Sequence, residues 1–121
     1  MTRILLVEDE ALLRELMFEE LSESGFAVVS IGTADEALLL IETDGAFDLL
    51  LTDIRMPGVS DGWILGRRAR QVMPDIRVIY ATGYTDHGSD LYEHERSIKK
   101  PFRHEQILEL IDELGLGPAE G

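Results

Sequence analysis

The chain contains no cysteine, which excludes a disulfide framework, thiol chemistry and any cysteine-ligated metal site. Basic residues are scarce: 11 Lys and Arg stand against 24 Asp and Glu, for a net charge of -13. No basic face for nucleic acid or an anionic membrane is expected from that balance, and the acidity serves either solubility or a partner. No apolar run approaches the roughly 20 residues of a membrane span. Met1-Thr2-Arg3-Ile4 leads straight into a strand-like segment, with too short an apolar stretch for a secretory leader, so a cytoplasmic location is expected. Repeats, low-complexity blocks and internal linkers are also missing. His87, His94 and His104 are scattered, form neither a metal set nor a catalytic pair, and are expected at the surface. No glycine-rich phosphate loop follows the first apolar run, and the acids there would repel phosphate, which argues against a nucleotide- or flavin-binding domain.

What is present is enough for one core. The 121 residues are one domain by length, and 45% of them are hydrophobic. Short apolar runs alternate with helix-period segments. Strands are predicted at about Arg3 to Val7, Ala27 to Ile31, Phe47 to Asp53, Arg77 to Ala81 and Ser97 to Lys99. The first helix carries Leu12, Leu13, Leu16, Met17 and Leu21 at helical spacing and ends at Ser24-Gly25. The second opens on a Thr33/Glu36 capping box with Ala34, Ala37, Leu38 and Ile41 inward. The third carries Ile64, Leu65, Ala69, Val72 and Met73, with Trp63 packing at its edge, and stops before Pro74. The last shows Ile107, Leu110, Ile111 and Leu114 at i, i+3, i+4 and i+7. Between Thr85 and Glu95 the chain is polar and weakly periodic, so any helix there is short. Residues 117–121 read as a flexible tail. Strands alternating with helices imply a parallel, doubly wound α/β sheet.

Right-handed crossovers bring all the strand C-termini to one edge, where such folds place their sites. The chemistry-bearing residues stand at those ends. Glu8 and Asp9 follow Val7, Asp53 closes a run that reads as buried on both faces before the turn Met56-Pro57-Gly58, Thr82 and Gly83 follow Ala81, and Lys100-Pro101 follow Lys99. Acids would also suit a helix start, and Thr82 a turn cap. Clustered carboxylates repel one another, and a hard divalent cation relieves that. Asp9 and Asp53 are read as direct Mg²⁺ ligands, Glu8 as a ligand through water, and the Arg55 carbonyl as an added one. A carboxylate facing a metal can attack phosphorus to give an acyl phosphate. Lys100 and Thr82 would meet the developing charge, and Gly83 would leave room for phosphate oxygens.

Four pieces in this order, Val7-Glu8-Asp9, Asp53-Ile54-Arg55-Met56-Pro57, Ala81-Thr82-Gly83 and Lys100-Pro101-Phe102, make the chain resemble the receiver domain of two-component response regulators over nearly its whole length. The resemblance implies a flavodoxin-like (βα)5 fold with strand order 2-1-3-4-5, a receiver domain over residues 1–116, and Mg²⁺-dependent phosphoryl transfer to Asp53. The donor it implies is a histidine kinase or phosphotransfer protein. Further implications are a cis peptide at Lys100-Pro101, a downstream protein partner, a monomer or weak dimer, and a phosphoacceptor role rather than an enzyme's. Receivers usually carry an aromatic three residues before the lysine; here that residue is Ser97. The Thr82-to-Lys100 segment is also short by about one helical turn, about 4 residues, so a shortened or irregular fourth helix is expected. Tyr80-Ala81-Thr82-Gly83-Tyr84 is similar to the motif of a stand-alone subgroup nicknamed FAT GUY, with Tyr80 in place of its Phe. That subgroup acts in alphaproteobacterial phosphorelays and general stress signalling and also lacks the strand-five aromatic. The Met1 start and the tail favour a stand-alone chain over a piece of a hybrid histidine kinase. A haloacid-dehalogenase-type phosphatase is disfavoured, because Arg55 stands where its second aspartate would be.

Overall fold

The computed structural model describes residues 2–55, 61–83, 91 and 93–117. The predicted turn at Met56-Pro57-Gly58, Tyr84, His87 and most of the Thr85 to Glu95 segment, with its short helix, lie outside the described residues. The described elements are β1 (Arg3–Val7), α1 (Ala11–Glu23), β2 (Ala27–Ile31), α2 (Ala34–Thr43), β3 (Leu49–Asp53), α3 (Gly62–Val72), β4 (Arg77–Thr82), β5 (Glu95–Lys99) and α4 (His104–Glu113). The five strands form one parallel sheet in the order β2-β1-β3-β4-β5, which is the expected flavodoxin-like order.

Strand alternation divides the core into two layers. Ile4 and Leu6 of β1, Leu49 and Leu51 of β3 and Ile79 of β4 face α1 and α4, where Met17, Leu21, Ile107 and Ile111 close the first layer. Leu5, Val7, Leu50 and Val78 face the other way, onto Ala34, Ala37 and Ile41 of α2 and Leu65 and Ala69 of α3. β3 is central and every residue of it is buried, which is why its sequence reads as a continuous apolar run. Local chemistry sets the helix ends. Thr33 Oγ1 accepts the Glu36 amide at 3.2 Å to start α2, and Asp61 Oδ1 accepts the Ile64 amide at 3.0 Å to start α3. Gly25, at φ 98°, takes the left-handed turn after α1.

Three members of the helical apolar patterns lie outside the core. Leu12 and Leu16 are 78% and 53% exposed, and Ile64 is 39% exposed. At 100° per residue the inward stripe of α1 runs through Leu13, Met17 and Leu21, so Leu12 and Leu16 fall on its flank. In α3 the stripe runs through Leu65, Gly66 and Ala69 and leaves Ile64 outside. β3 begins at Leu49 and not at Phe47, and β5 begins two residues earlier than predicted, at Glu95.

Candidate functional site

Each strand delivers its polar residue at the same edge. Glu8 leaves β1 with its amide bonded to the Ile31 carbonyl of β2 at 3.1 Å. Its own carbonyl accepts from Arg14 Nη1 at 2.8 Å, and its Oε2 accepts the Glu10 amide at 3.0 Å. Asp53 ends β3 in register with Ala81. Thr82 ends β4, and its carbonyl accepts the Lys100 amide at 2.7 Å, joining the ends of β4 and β5. Gly62 lets the start of α3 lie against the backbone behind the site, since a Cβ there would sit 2.0 Å from the Asp53 carbonyl oxygen.

The result is a small, charged basin. Glu8 is 2% exposed and Asp53 5%, while Asp9 is exposed. One carboxylate oxygen from each of these three lies within 4.8 Å of the others. Lys100 Nζ reaches both buried acids, Asp53 Oδ1 at 2.6 Å and Glu8 Oε1 at 2.8 Å. Thr82 is buried beside them at the end of β4, and Gly83 is exposed, with no described atom within 4 Å of a Cβ built on it. Arg55 is exposed just past Asp53, and Lys100-Pro101 is a cis peptide. Ser97 is half-buried on β5, in register with Tyr80.

The electrostatics follow from burial and mutual contact. Burial first, then the hydrogen bond and negative charge of Glu8, push the Asp53 carboxyl up to about 8, although Lys100 acts in the opposite direction. Burial also acts to raise Glu8, but its hydrogen bonds to Asp53 and Lys100 outweigh this and hold it below the usual carboxylate range. Burial acts to lower Lys100, and its bonds to Asp53 and Glu8 outweigh that, so it stays charged above its ordinary value. The two acids therefore compete for one nearby cation, and a second positive charge would favour the ionised form of Asp53. Three clustered carboxylates, one of them open to solvent, are the hard-oxygen donor set that suits Mg²⁺ with waters completing its shell.

Sequence reasoning missed a second buried polar group. Tyr80 Oη donates to Glu95 Oε2 at 3.1 Å, and that oxygen lies 3.0 Å from Arg70 Nε. Tyr80 reads as one more member of a buried run, and Glu95 lies in a polar stretch, so only the fold pairs them. His104, expected at the surface, is half-buried and shares a 3.0 Å hydrogen bond with Ser24 Oγ. Beside Lys100, a hollow of about 340 Å³ is lined by Glu10, Leu13, Pro101 and Phe102. Leu12 and Leu16 lie exposed on the same helix as Leu13.

The chain's likenesses agree with this geometry. A family model of the response regulator receiver domain matches residues 4–112. Response regulator receiver protein CpdR of Brucella abortus is 31% identical over 118 residues, covering 94% of this chain and 97% of that protein. Seven other curated relatives are longer, and the chain spans between 9% and 48% of their length. Among solved structures, a response regulator receiver protein of Sinorhizobium medicae superposes with a TM-score of 0.87 at 29% identity, covering 93% of both chains. The response regulator TrrA of Thermotoga maritima, solved in complex with Mg²⁺ and BeF, gives 0.82 at 34% identity, covering 94% of this chain and 99% of that one. TrrA is also solved in complex with the histidine kinase ThkA.

Proposed function

Because the chain belongs to the family of response regulator receiver domains, we propose that Asp53 is its phosphoacceptor and that Mg²⁺ at Glu8, Asp9, Asp53 and the Arg55 carbonyl supports the transfer. The observation that carries this reading is the convergence of Asp53, Glu8 and Lys100 within 2.8 Å contacts at the carboxyl edge of the sheet. Family membership makes the chain a signalling domain that accepts phosphoryl groups.

The ionised Asp53 carboxylate attacks phosphorus, an Oδ–P bond forms, and the bond from phosphorus to the donor nitrogen breaks. Bound Mg²⁺ would neutralise the paired acids and the charge on the phosphoryl oxygens. Lys100, already 2.6 Å from Asp53, turns from the carboxylate to a phosphoryl oxygen, and the Thr82 hydroxyl and the Gly83 amide donate to the others. Hydrolysis of the acyl phosphate, assisted by the same groups, would reset the domain.

The donor is a histidine kinase or phosphotransfer protein, as the ThkA complex of TrrA illustrates for that relative. On this chain the exposed Leu12 and Leu16, with Leu13 and Phe102 at the hollow beside Lys100, would receive an apolar partner surface next to the reacting atoms. Among the described residues no helix is long and apolar enough to cross a membrane. The test is intact mass after incubation with a small phosphodonor: one phosphate adduct that needs Mg²⁺ and vanishes in Asp53→Asn is expected. An adduct that survives this substitution refutes the assignment.

A further inference from the structure

Tyr80 and Thr82 are i and i+2 on β4 and so project from one face of the sheet. On that face Tyr80 is in register with Ser97, the β5 position at which the resembling receivers carry an aromatic. The ring is 2% exposed and boxed in. Its centroid lies 4.4 Å from that of Trp63, tilted by 43°. Its hydroxyl holds Glu95, itself 4% exposed and paired with Arg70 in the last turn of α3. Gly66 of α3 makes the space, since a Cβ there would lie 1.8 Å from the Tyr80 hydroxyl oxygen. An aromatic so enclosed has no room to swing between two rotamers. It can only move with its strand, and whatever moves it pulls on β5 through Glu95 and on α3 through Arg70 and Trp63.

Resting on the phosphoacceptor reading, we propose that Tyr80 is a positioning residue that carries the state of Thr82 to α3. When the Thr82 hydroxyl is drawn to a phosphoryl group, the end of β4 shifts. The Tyr80–Glu95–Arg70 chain, with the Trp63 contact, passes that shift to α3.

Trp63 is the only tryptophan, so its emission reports on this contact. The experiment records Trp63 fluorescence and intact mass together on the full chain, first with Mg²⁺ alone and then with Mg²⁺ and acetyl phosphate. In the wild type, emission is expected to change in proportion to the adduct, beyond any change from Mg²⁺ alone. Tyr80→Phe removes the hydroxyl and Glu95→Gln removes the charge that holds Arg70. Both are expected to take up phosphate to the wild-type extent and to lose the emission change. Should one variant not fold by near-ultraviolet circular dichroism, the other decides. Stoichiometric adduct with unchanged emission in the wild type overturns the proposal, as does a wild-type emission change in a folded variant. Absence of any adduct on the wild type refutes the phosphoacceptor reading instead, and this inference with it.

Discussion

Asp53→Asn should stabilise the metal-free protein, and the gain should depend on pH. Asparagine keeps the shape of the side chain, can still accept from Lys100 and donate to Glu8, and removes one of two buried acids that meet there. An acid raised from 3.8 to about 8 on folding binds its proton more tightly in the native state than in the unfolded one. Stability from this group is then fully present below pH 3.8, is lost as pH rises through the window up to about 8, and is flat above it. At about 1.4 kcal/mol per pH unit, the span sets a ceiling of roughly 6 kcal/mol. The basin opens to solvent at Asp9 and Lys100 carries a compensating charge, so screening reduces the expected gain to about 2 kcal/mol at pH 8. Urea denaturation in chelator at pH 5 and pH 8 measures it. The gap between Asp53→Asn and wild type should be small at pH 5 and widen by pH 8. A variant that is less stable than wild type at pH 8, or a gap that ignores pH, refutes the electrostatic reading.

Lys100→Met removes the counter-charge of two buried acids; it should cost about 3 kcal/mol in chelator at pH 8 by urea denaturation and slow phosphorylation by a small donor about 100-fold by intact mass. Mg²⁺ at about 100 times its Kd should stabilise the wild type by about 2.7 kcal/mol. Asp9→Ala should abolish that response while changing metal-free stability by less than about 0.5 kcal/mol. Gly66→Ala drives a Cβ into the Tyr80 hydroxyl and should cost about 3 kcal/mol, with part regained on adding Tyr80→Phe. Leu16→Glu should leave stability and small-donor phosphorylation unchanged while slowing transfer from a partner histidine kinase about tenfold, a loss of about 1.4 kcal/mol in the docked complex.

Much of the fold is legible in the chain because the physics is local. The Leu49–Asp53 run is central and buried on both faces, so composition alone marks it as a strand. Thr33 and Glu36 announce a helix start through a hydrogen bond only three residues long. The site is legible for a topological reason: parallel strands collect Glu8, Asp53, Thr82 and Lys100 at one edge whatever the intervening sequence. What escapes the sequence is rotational phase and distant pairing. Leu12 and Leu16 share helical spacing with the buried residues of α1 and differ from them only in which flank meets the sheet, a tertiary fact. Glu95 lies 25 residues beyond Arg70 and becomes its partner only because α3 packs across β4 and β5. Burial of a glutamate in a polar stretch has no local signature, so β5 reads two residues too short.

The most direct test of the central claim is chemical trapping of the acyl phosphate. The protein is phosphorylated with acetyl phosphate and Mg²⁺, reduced with borohydride, digested and sequenced by mass spectrometry. Reduction of an aspartyl phosphate leaves homoserine, which should appear at position 53 alone and only when Mg²⁺ is present. Homoserine at position 9 or at another acid, or a phosphorylated protein with an unreduced Asp53, would contradict the account.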